Sequence, residues 1–67
     1  MKQINIMLLN GTHFVLEEDK IIESPLKILK DYQTTYAYLV IDKISCGQLV
    51  LNKKYIVAIN VEEADND

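Results

Sequence analysis

Ile4-Asn5-Ile6-Met7-Leu8-Leu9-Asn10-Gly11-Thr12-His13-Phe14-Val15-Leu16 is the stretch that decides the fold. Before the Asn-Gly pair, Ile4, Ile6 and Leu8 alternate with Asn5, Met7 and Leu9. After it, Thr12, Phe14 and Leu16 alternate with His13 and Val15. A period of two on both sides marks two strands. Asn10-Gly11 between them is a strong hairpin signal, because a type I′ turn needs positive φ at both central positions and these residue types tolerate it. The pattern predicts an antiparallel hairpin of residues 3–9 and 12–17.

Downstream, Glu17-Glu18-Asp19-Lys20 is a polar interruption, and Ile21-Ile22 reads as a short strand continuation or an apolar lead-in. Ser24-Pro25 predicts a helix start, since serine caps free amide groups and proline is pre-set for the first helical position. A helix over residues 25–32 would turn Leu26, Leu29 and Ile28 toward the core and Lys27, Lys30 and Asp31 toward water. Thr34, Thr35, Tyr36, Tyr38, Val40 and Ile41 favour a pleated surface, so residues 34–42 read as a central strand. Both of its faces are largely apolar, which predicts burial on both sides, in a barrel or beneath a partner chain. A second hairpin is expected from residues 48–51, a turn at Asn52-Lys53, and residues 55–61. Leu51-Asn52-Lys53-Lys54-Tyr55-Ile56-Val57 echoes Leu9-Asn10-Gly11-Thr12-His13-Phe14-Val15 in residue type.

These elements add up to a mainly β domain with one short α-helix, a small five-stranded antiparallel bent sheet or open barrel. The domain is expected to span residues 1–61, and residues 62–67, acidic and without apolar anchors, are expected to fray. At 67 residues there is room for one domain, and a core of that size supplies only about 3 to 5 kcal/mol. Small domains compensate with disulfides, a metal, oligomerisation or unusually good packing. Cys46 is the single cysteine and His13 the single histidine, so neither an intrachain disulfide nor a Cys/His zinc cluster can be built. Packing and self-association remain.

Composition narrows the function classes. The chain is 49% apolar with a net charge of -3, which disfavours nucleic-acid phosphates and anionic lipid as partners. No stretch approaches the roughly 20 apolar residues that cross a bilayer, and Met7-Leu8-Leu9 is too interrupted for a signal peptide. With a free cysteine, this reads as a cytoplasmic protein. His13 and Cys46 could form a nucleophile and base, but no third residue orients them. Glu17, Glu18, Asp19 and Glu23 lack the spacing of a calcium loop, and two isolated glycines cannot cradle phosphate. The expectation is therefore no enzyme, no metal and no cofactor. Tyr32, Tyr36, Tyr38 and Tyr55 are the candidate partner-binding residues, since tyrosine joins a large apolar area to a polar tip. Tyr36 and Tyr38 share a strand face, which offers an aromatic patch with Tyr55; the other reading, favoured for any one ring, is that the tyrosines roof the core.

Leu9-Asn10-Gly11, Phe14-Val15-Leu16, Asp19, Ile21 or Ile22, Glu23 and Pro25 together resemble the opening of the small FlbD-type proteins associated with flagella and swarming. Asn52-Lys53-Lys54-Tyr55-Ile56-Val57 is similar to that family's second hairpin. The resemblance covers about half the chain, and the sequence departs from it by placing Lys53 where the second glycine falls and by carrying the helix and tyrosine strand in between. It implies a flagellar accessory role and no catalytic residues. The residues themselves favour a non-catalytic protein-interaction module. It would be homo-oligomeric, an accessory or inhibitory protein, and the arginine-free composition fits a phage or mobile element. Two other classes are an oligomeric sponge for a nucleotide-like ligand and a small barrel that binds single-stranded nucleic acid.

Overall fold

The computed structural model describes residues 1–45 and 47–64. Five strands, one α-helix and two short 3-10 turns make a mainly β fold. In chain order they are β1 (Lys2–Leu8), β2 (His13–Glu17), α1 (Pro25–Tyr32), β3 (Tyr38–Asp42), β4 (Gln48–Asn52) and β5 (Ile56–Glu63). All pairings are antiparallel. The strands divide into a three-stranded sheet ordered β2-β1-β5 and a two-stranded ribbon of β3 and β4, without closing into a barrel. An isolated antiparallel bridge between Ile21 and Lys43 joins the segment after β2 to the end of β3.

The first hairpin forms with Ile4 opposite Leu16 and Ile6 opposite Phe14, and its inner face is the one the alternation marks. Its turn differs from the expected one. Among the described non-glycine residues none has positive φ, so Asn10 does not adopt the conformation a type I′ turn requires; Gly11 does, at φ 90°. The loop takes three residues: Gly11 N–H donates to Leu8 O at 3.0 Å and Leu8 N–H to Thr12 O at 2.8 Å, the pattern of a turn followed by a glycine bulge. Asn10 Oδ1 accepts from Thr12 N–H at 2.9 Å, which holds the turn without left-handed backbone at Asn10. Gly11→Ala should cost about 1–2 kcal/mol. Since a Cβ there meets nothing within 4 Å, the whole cost is conformational. A urea midpoint unchanged by the substitution would contradict this turn.

Helix α1 runs over the expected residues. Ser24 Oγ accepts from Lys27 N–H at 3.2 Å, and Pro25 opens the first turn. At two turns, the helix depends on packing. Its buried face is Pro25 and Ile28, with Leu29 and Tyr32 half-buried; Leu26 is 53% exposed, contrary to the expectation that it enters the core. Spacing explains it: Pro25, Ile28 and Tyr32 lie at i, i+3 and i+7, and Leu26 falls off that stripe.

The second expected hairpin does not form. Strand β4 pairs backward with β3, Val40 opposite Val50, while β5 crosses to β1 and places Ile59 opposite Ile6. Between them, residues 53–55 make a 3-10 turn in which Asn52 Oδ1 accepts from Lys54 N–H at 3.1 Å. The echo of the first hairpin is thus real at the asparagines, which make the same side-chain contact two residues on. It ends at Lys53, which does not take the positive φ of Gly11, and the chain passes from one sheet to the other. Residues 52–57, expected as the turn and second strand of the second hairpin, carry this crossover into β5 instead.

Residues 34–37 are irregular, and β3 lies in a two-stranded ribbon rather than at the centre of a sheet. Only one of its faces is buried: Leu39 and Ile41 are at 1% and 0% exposure, while Tyr38 and Val40 face outward. Ile4, Ile6, Ile21, Ile28, Leu39 and Ile41, with Leu51 and Ile56, form one core between the sheets and α1. Strand β5 continues two residues past its expected end. Val57 is the extra residue where the β1–β5 register shifts, and Glu62 and Glu63 are paired with Gln3 and Lys2 instead of fraying. Residues 65–67 of the expected tail, and Cys46, lie outside the described residues.

Glu63 is held by charge. Its carboxylate accepts from Lys2 Nζ at 2.9 Å and lies 3.5 Å from the amino group of Met1. The Lys2 hydrogen bond, then the two nearby positive charges, pull the Glu63 carboxyl below its ordinary range. A carboxyl whose folded pKa is depressed stabilises the fold above its unfolded pKa, and that contribution disappears as pH falls through the folded value. The pair lies at the surface in contact with water, so the effect is small. Glu63→Gln should slightly flatten the loss of urea stability between pH 6 and pH 3; an unaltered acid slope would show that the pair contributes nothing.

Candidate functional site

The four candidate tyrosines separate into different environments. Tyr32, in the last turn of α1, is half-buried against the core and serves packing. Tyr36 is 77% exposed and Tyr38 56%, and both line an open groove of about 490 Å³ with Ala37 and Val40. Tyr55, in the turn before β5, is half exposed, with the Lys54 ammonium 5.2 Å from its ring centre. It is not among the residues that line the groove, so the expected three-tyrosine patch contracts to Tyr36 and Tyr38.

Three carboxylates, Glu23, Asp31 and Asp42, stand at the groove's rim, each already engaged. Lys27 Nζ bonds Asp31 Oδ1 at 2.8 Å and lies 3.4 Å from Glu23, and Gln48 Nε2 donates to Asp42 Oδ1 at 2.7 Å. The Asp31 hydrogen bond, chief among these contacts, raises the Lys27 pKa above its ordinary value. Lys53 Nζ reaches across from the β4 side to Asp31 O at 2.7 Å and Thr34 O at 3.1 Å, pinning the irregular connector that carries Tyr36. What faces solvent without a partner is therefore the apolar floor.

That floor extends onto β4. Because β3 pairs with β4, Val50 lies directly opposite Val40 on the outer face, at 51% and 38% exposure. Tyr38, Val40 and Val50 thus form a contiguous apolar row, with Tyr36 at its end. The two-sided apolar pattern of residues 34–42 signals this face, whereas Val50 joins it only through the pairing of β4 with β3.

His13 sits apart. It lies on the outer face of the three-stranded sheet, bordering a depression of about 280 Å³ with Met7, Asn5 and Asn60. Beside it Asn5 Nδ2 donates to Asn60 Oδ1 at 3.0 Å and to Glu62 Oε1 at 2.7 Å, a ladder that satisfies its own members. Among the described residues no group of three His, Cys, Asp or Glu side chains converges to hold a metal, and no helix is long and apolar enough to cross a membrane. No protein-family model, curated protein or solved structure matches the chain.

Proposed function

We propose that this protein is a non-catalytic interaction module that associates with copies of itself, its sheet edges and the tyrosine-bearing face of β3–β4 making the contact. One observation carries the reading. The ribbon buries Leu39, Ile41 and Leu51 on its inner side while its outer side presents Tyr38, Val40 and Val50 to water. Apolar area in water is unfavourable by about 25 cal/mol per Å², and a two-stranded ribbon has little stability of its own. A second chain laid against it answers both deficits, and it suits a domain without disulfide or metal support.

An accessory or inhibitory role, such as phage and mobile-element proteins perform, is supported by the small size and the arginine-free composition, and a reducing cytoplasm suits the lone cysteine. Light scattering across micromolar concentrations should report a dimer or a larger species. A monomer throughout that range would defeat the reading.

A further inference from the structure

Hydrogen bonds at the two ends of the β3–β4 ladder fix which main-chain groups face inward. Lys43 N–H donates to Gly47 O at 3.1 Å and Lys53 N–H to Ala37 O at 2.9 Å, so the bonded pairs alternate along the ladder and include Ile41 with Leu49 and Leu39 with Leu51. The N–H and C=O groups of Gln48, Val50 and Asn52 consequently point away from β3. Among the described residues, no backbone hydrogen bond joins that edge to another segment. The opposite edge of the ribbon is in use: Asp42 O accepts from Ile22 N–H at 3.0 Å, and Lys43 bridges to Ile21.

Open strand edges are templates for pairing, and sheets blunt them with charge, proline or bulges. Strand β5 has its bulge at Val57 and ends on Glu62 and Glu63; β2 ends on Glu17 and runs straight into Glu18. Gln48-Leu49-Val50-Leu51-Asn52 has no charged residue, no proline and an unbroken register with β3. On a chain with a net charge of -3, this neutral edge is where a second copy approaches without like charges opposing it.

We infer that two copies join β4 to β4, antiparallel about a two-fold axis at Val50, making one four-stranded sheet from two ribbons; this rests on the self-association proposed above. Gln48 then stands opposite Asn52 of the second copy, and Val50 opposite its counterpart. The contact is self-complementary and closed. Four strands exceed the number at which a sheet becomes independently stable. The apolar rows of both copies then run on as one outer surface, which remains available for face contact.

The register makes a charge-exchange test possible. In Gln48→Lys/Asn52→Lys, lysines of the two copies meet directly, twice per dimer. In Gln48→Lys/Asn52→Glu, each lysine meets a glutamate. Both variants replace the Asn52 amide beside Lys54 N–H and the Gln48 amide beside Asp42, so a urea titration of each at low concentration separates folding cost from association. Sedimentation over a concentration series should show the dissociation constant of the double-lysine variant raised roughly tenfold or more, and that of the Lys/Glu variant back near the wild-type value. The double-lysine change also brings the net charge nearer zero, which by itself would favour association, so the expected direction cannot arise from overall charge. Equal behaviour of the two variants overturns β4 pairing while a self-associating wild type keeps the broader proposal; a monomeric wild type overturns both. Val50→Pro gives an independent check, because the N–H it removes points to the open edge and is not bonded within the chain. It should abolish the β4 contact with an unchanged circular dichroism spectrum, and undiminished association would refute the pairing.

Discussion

Ile6→Ala is expected to bring the chain close to its unfolding midpoint at 25 °C. Ile6 is fully buried at the centre of β1, paired with Phe14 on one side and Ile59 on the other. Truncating a buried isoleucine to alanine costs about 2–5 kcal/mol, and a core this small provides about 3–5 kcal/mol in total. The loss consumes most of the stability. Far-UV circular dichroism with urea titration, at a concentration low enough that association adds little by mass action, measures it. A cost below about 1 kcal/mol would mean that the core is not organised around β1.

Tyr36→Ser with Tyr38→Ser should do the reverse, sparing the fold and weakening assembly. Both rings are more than half exposed, so their removal opens no cavity. Truncating a tyrosine that anchors an interface costs about 2 kcal/mol or more, so losing one such anchor from the face contact raises its dissociation constant roughly thirtyfold. Dilution-series sedimentation alongside thermal denaturation separates the two effects. Wild-type association in the double variant would move the binding energy off this face.

Local signals were legible in the sequence; the pairing of distant strands was not. The alternation around Asn10-Gly11 and the Ser24-Pro25 start each act within a few residues, and both elements formed within a residue of their expected bounds. The turn type differed because asparagine can hold a turn through its side chain as well as through left-handed backbone. Residues 48–61 misled because Asn52-Lys53 sits between two apolar runs, as a hairpin turn does. Which partner each run takes is settled by the burial of Leu51 and Ile56 in a shared core, a non-local condition. The exposed tyrosines were visible as candidates from residue type, whereas Val50 entered the site only once its neighbour was known to be Val40. Leu26 shows the limit of helical periodicity over two turns, where one residue of phase decides between core and water.

Strand β1 lies between its immediate successor in sequence, β2, and the distant β5. On the ribosome, the hairpin of residues 2–17 can close early, but one flank of β1 stays bare until residues 56–63 emerge. Sheet completion therefore waits on a closure between residues 2–8 and 56–63, distant in sequence, which slows folding relative to helical chains rich in local contacts. During that interval the nascent chain shows a sticky, unpaired backbone, and crowding many copies on one message would favour wrong partners over the right one.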